Sequence, residues 1–121
     1  MTTLPVVLLQ MATVGVGLIL GLRFLRGQPR KPTLIGLHFL LAAAGLEGVM
    51  LLLHGAPNGD RVDSGPSGTL VLGLFVVALL SGLAAATLGR QSPQRTTKLV
   101  ATHAGLAALG FLTFLVWVAK Q

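Results

Sequence analysis

Four stretches of about 20 apolar residues, Leu4 to Leu25, Thr33 to Leu53, Thr69 to Leu88 and Leu99 to Ala119, fill nearly all of a 121-residue chain. An α-helix needs about 20 apolar residues to cross roughly 30 Å of hydrocarbon, whereas a barrel strand needs only about 10. Each run therefore predicts a transmembrane helix. The connections, Gln28 to Pro32, His54 to Gly68 and Gln91 to Thr97, leave no room for a soluble domain. With loops this short the expected fold is an all-α membrane protein, a four-transmembrane-helix up-down-up-down bundle forming one domain over 1–121. Composition agrees: 10% charged residues and a mean hydropathy of +0.83 leave too little polar surface to clothe a water-soluble globule. Any function must lie inside the bundle or at its rims.

The pI of about 11.7 does not imply nucleic acid, because the basic residues flank apolar helices instead of lining a polar face with aromatics for base stacking. Seven of them, Arg23, Arg26, Arg30, Lys31, Arg90, Arg95 and Lys98, flank the first and third connections, against Arg61 and Lys120 on the other side. By the positive-inside rule those two connections are cytoplasmic, and both termini and the second connection are outside. A bacterial cytoplasmic membrane is the expected location. The start Met-Thr-Thr-Leu-Pro has no basic n-region, so the first segment reads as a retained helix and not a signal peptide. The chain has no cysteine, which excludes disulfides, iron-sulfur clusters and thiolate metal sites.

The two helical hairpins resemble copies of each other. Arg26-Gly27-Gln28-Pro29 matches Arg90-Gln91-Ser92-Pro93, and the following helices align on a histidine: His38 opposite His103, Ala42 opposite Ala107, Gly45 opposite Gly110. The turns and the histidines differ by one residue in offset. In a duplicated hairpin of this kind, the second and fourth helices are parallel and diagonal, separated by about 13 Å if neighbours pack at 8–10 Å.

His38 lies about 10 Å from the charge marker Lys31 and His103 about 7.5 Å from Lys98, so the two imidazoles share one depth. Titratable groups within a membrane are costly and mark a site by default. Positions four and seven beyond each histidine fall on its face, giving His38, Ala42, Gly45 in one helix and His103, Ala107, Gly110 in the other. Small residues beside both imidazoles suggest a flat slot for a haem, ligated by one neutral imidazole from each side. Arg26, Arg30, Lys31, Arg90, Arg95 and Lys98 then stand where they can pair with the propionates. The same small residues also suit plain helix packing, with histidines bonded across the interface.

On the Lys31 to Gly45 and Lys98 to Gly110 segments, the chain resembles the small four-helix membrane cytochromes b, in which histidines on transmembrane helices ligate b-type haem. The resemblance implies an electron-transfer protein whose iron is bound by His38 and His103. Di-haem members carry a second histidine pair near the other face. Here only His54 lies there, and its counterpart is Ala119, so one haem b is carried over; a second would need a ligand such as Met11 or another chain.

Glu47 is the one carboxylate within an apolar run, at a cost of about 2.5 kcal/mol or more if charged. It lies about 180° around the helix from His38, and His54 returns to its face, so Glu47, Met50 and His54 form a second stripe. Proton path, quinone head-group site and docking face for another subunit are the functional readings; a protonated Glu bonded to a neighbouring helix is the plain one. Trp117 reads as an interfacial anchor. The outer connection, with Asp60 and Asp63, reads as an exposed linker. No phosphate loop, nucleophile elbow or zincin motif is present.

Two functions follow as expectations. One is electron transfer through a single bis-histidine haem, exchanging electrons with a quinone pool or a partner redox complex in a homo-oligomer or with other membrane subunits. The other is a cofactor-free accessory or assembly subunit. A transporter is disfavoured because Glu47 has no counterpart in the second hairpin. The charge asymmetry predicts that cysteines placed by Ser64→Cys and Ser92→Cys label from opposite sides of the membrane. Labelling of Ser92→Cys, and not Ser64→Cys, by an impermeant reagent in intact cells would reverse the orientation.

Overall fold

The computed structural model describes residues 3–55 and 65–121. Four helices follow in order, α1 (Leu4–Leu25), α2 (Pro32–His54), α3 (Gly65–Thr87) and α4 (Pro93–Ala119), with a 3-10 turn at Leu88–Gln91 before the last. All four are long and apolar enough to cross a bilayer, and no strand occurs among the described residues. The expected all-α four-helix architecture is the one that forms. Helix α3 starts four residues before the apolar run and α4 six before it, because hydropathy marks the hydrocarbon-crossing part and not the hydrogen-bonded helix. The connection between α2 and α3, with Asp60, Arg61 and Asp63, lies outside the described residues.

Local chemistry sets the turns at the basic end. Gly27 takes a left-handed φ of 63°, which lets Gln28 N–H reach Arg23 O at 2.9 Å and Gly27 N–H reach Phe24 O at 3.0 Å, closing α1 as a Schellman motif. Pro32 and Pro93 open α2 and α4 at positions where a missing N–H costs nothing. Ser92 caps α4 by accepting from Arg95 N–H at 3.1 Å.

Helix α1 packs on α2 and α3 on α4, while α2 and α3 join the two hairpins; α1 and α4 touch least of the adjacent pairs, which leaves α2 and α4 on a diagonal. The packed core is confined to the end away from the basic turns. It comprises Val6, Val49, Leu52, Leu53, Val71, Phe114 and Trp117. Phe114 stacks between Phe75 and Trp117, with ring centroids 5.9 and 6.3 Å apart. Trp117 is only 2% exposed, so it is a core residue and not the interfacial anchor its position suggested. Leu53 and the glycine at 68 leave the indole just enough room there. Between the histidines and the basic turns, by contrast, Gly89 is the only buried residue among those described.

Helices in lipid associate through shape and dispersion, since lipid tails are as apolar as leucine. The account predicts that Phe114→Ala, which empties a fully buried ring site, lowers stability in detergent by about 3–5 kcal/mol. Leu112→Ala, at a side chain 61% exposed, should change it by less than about 0.5 kcal/mol. Equal losses would place the packing elsewhere.

Candidate functional site

The structure brings His38 and His103 together across the diagonal, with ring centroids 5.9 Å apart and ring planes at 85°. Each ring is held by its own hairpin. His38 Nδ1 lies 3.0 Å from the backbone oxygen of Thr13 on α1, and His103 Nδ1 lies 2.8 Å from that of Ala78 on α3. A carbonyl oxygen only accepts, so in both rings Nδ1 carries the hydrogen and donates it. The lone pair of each neutral imidazole is then on Nε2, the atom free to bind.

Glycine makes this approach feasible. A Cβ at Gly17 would lie 2.9 Å from His38 Cε1, and one at Gly82 would lie 2.8 Å from His103 Cε1. Thr13, Gly17 and His38 recur as Ala78, Gly82 and His103, each shifted by 65 residues. The core follows the same shift: Val6 and Val71, Gly45 and Gly110, Val49 and Phe114, Leu52 and Trp117 are buried pairs. Repetition of contacts, and not only of letters, marks the two hairpins as equivalent units. The one-residue discrepancy between the turns is therefore a difference in turn form, a Schellman motif in one and a 3-10 turn in the other.

Other expected site residues fall differently. Ala42 and Ala107 are half-buried beyond the imidazoles. Gly45 and Gly110 do not floor an open slot. They are seats for side chains of the partner helix in the same hairpin: a Cβ at Gly45 would meet Gln10 Nε2 at 2.7 Å, and one at Gly110 would meet the Phe75 ring at 3.0 Å. Arg26, Arg30, Lys31, Arg90, Arg95 and Lys98 are exposed at the basic end. Arg30 donates to Ala86 O at 2.9 Å, tying the first turn to α3, and Arg95 donates to the Gln91 side chain. Glu47 is the one acid among the described residues, and it forms no ion pair with them. Glu47, Met50 and His54 are exposed on α2, as the angular reading predicts, with His54 Nδ1–H donating to Met50 O at 3.1 Å. Met11 is 55% exposed and turned away from the bundle interior.

Compared with protein-family models, curated proteins and solved structures, the chain matches none.

What the site can bind follows from its donors. Among the described residues no group of three His, Cys, Asp or Glu side chains converges as a metal site. Two imidazoles alone leave a bare zinc or calcium ion short of protein ligands. A haem iron needs only two, since the macrocycle supplies the rest. Two imidazoles bound to one metal at about 2 Å each stand with centroids about 6 Å apart, close to the observed 5.9 Å. The donor set thus fits a bis-imidazole haem. The half of the bundle without a packed core adjoins it. Thr13, Gly17, Ala78, Gly82 and the buried Gln10 were missed in the sequence. The recurrence of Gly17 and Gly82 at the histidine spacing was the available signal.

Proposed function

We propose that this chain is a membrane electron-transfer protein that carries one b-type haem between His38 and His103. The observation that carries the reading is the matched tethering of both imidazoles through Nδ1–H, which leaves the lone pair of each ring on Nε2, with the ring centroids 5.9 Å apart. Metal-bound histidines characteristically donate their other ring N–H to a backbone carbonyl or carboxylate, which fixes the tautomer and the ring orientation. Haem supplies reversible one-electron chemistry when bound. The chain's own residues would hold the rings and set the electron-donor strength of each imidazole through its carbonyl partner.

The exposed basic side chains Arg26, Arg30, Lys31, Arg90, Arg95 and Lys98 support the reading as counter-charges for the propionates. One haem is proposed, not two, since His54 and Met11 both point outward. Electrons would pass to or from the quinone pool or a partner redox complex, with the basic end cytoplasmic. A second reading, a cofactor-free accessory subunit, is favoured by one observation: Glu47 is an exposed acid on a membrane-crossing helix with no hydrogen bond among the described residues, as a face awaiting a partner would present it.

Haem content and the low-spin spectrum of three variants separate these. His38→Ala and His103→Ala should each lose most of the haem, while His54→Ala keeps it at wild-type stoichiometry. A wild type that takes up no haem, or loss in His54→Ala without loss in His103→Ala, transfers the assignment to the accessory-subunit reading.

A further inference from the structure

The two half-sites are alike in carbonyl and glycine but differ in one side chain that reaches an imidazole. Ser81 Oγ lies 3.3 Å from His103 Nδ1 and donates its own hydrogen to Ala78 O at 2.8 Å. Its counterpart 65 residues earlier is Val16, which has no hydroxyl to offer His38. The Thr13 hydroxyl of that half-site turns back to donate to Leu9 O at 2.9 Å.

Because Nδ1 of His103 must carry its hydrogen to face the Ala78 carbonyl, the Ser81 oxygen meets an N–H and acts as an acceptor. We propose that Ser81 is a positioning residue for His103, a second acceptor on Nδ1–H that makes the two imidazoles unequal donors. His103 then shares its hydrogen between two oxygens, while His38 gives its hydrogen to one. The shorter bond, 2.8 Å to Ala78 O against 3.0 Å to Thr13 O, runs in the same direction. A stronger pull on Nδ1–H raises electron density at Nε2, so His103 is the stronger ligand. This consequence rests on the haem reading; the inequality of the rings does not.

The test uses the full-length chain labelled with ¹⁵N-histidine, with and without added haem. In the haem-free protein the Nδ1–H proton of His103 should resonate downfield of that of His38. Ser81→Ala should move it upfield and leave His38 in place, Ser81→Thr should restore it, and Val16→Ser should move the His38 proton downfield. With haem bound, Ser81→Ala should raise the midpoint potential and Val16→Ser should lower it. A His103 signal unmoved by Ser81→Ala, or moved as far by Ser81→Thr, overturns the proposal. Correct resonance shifts in a protein that binds no haem would sustain Ser81's role while removing the haem reading.

Discussion

In each hairpin an imidazole donates a hydrogen bond to a backbone carbonyl of the neighbouring helix. In water such a bond contributes modestly, since both groups can find solvent partners. In hydrocarbon an unpaired imidazole N–H has no such alternative and costs several kcal/mol. The latch therefore selects one register between α1 and α2 and the equivalent register between α3 and α4. It also selects the tautomer. With Nδ1–H committed, the free lone pair of each ring is on Nε2, and the ligating capacity of the pair follows from a bond made for register.

The rest of the bundle divides about that latch. Toward one end the four helices close on Phe114, Trp117, Leu52 and Val49, with large rings from the second hairpin against aliphatic side chains from the first. Toward the basic end, side chains stay half-exposed and only Gly89 is buried among the described residues. A bundle that packs one half and leaves the other open places its rigidity beside the two imidazoles, whose ring centroids stand 5.9 Å apart. The unequal contact of α1 with α4 and of α2 with α3 makes the α1/α4 side the looser seam.

Much of this was legible in the letters. The length of the apolar runs decided the helices, since no other backbone arrangement satisfies its own polar groups over 20 apolar residues. The histidine pair stood out because titratable side chains are rare in such runs. The outward stripe of Glu47, Met50 and His54 followed from helical periodicity alone. The latch was harder to see because its acceptors are backbone oxygens of Thr13 and Ala78, which no residue type announces. Gly45 and Gly110 were read as the floor of a flat slot, but a glycine does not say what approaches it, and Gln10 and Phe75 of the neighbouring helices occupy them. Trp117 was placed at the interface by residue type, whereas the space above the glycine at 68 draws it into the core.

Equivalence at a constant 65-residue shift gives the chain two like halves, each bringing one imidazole to the same place, with ring centroids 5.9 Å apart. The most direct check is a reduced-minus-oxidised visible difference spectrum of the purified full-length chain, taken before and after titration with haemin. The account predicts a low-spin b-type spectrum that saturates at one haem per chain. Titration to excess haemin with no saturable low-spin species would contradict it.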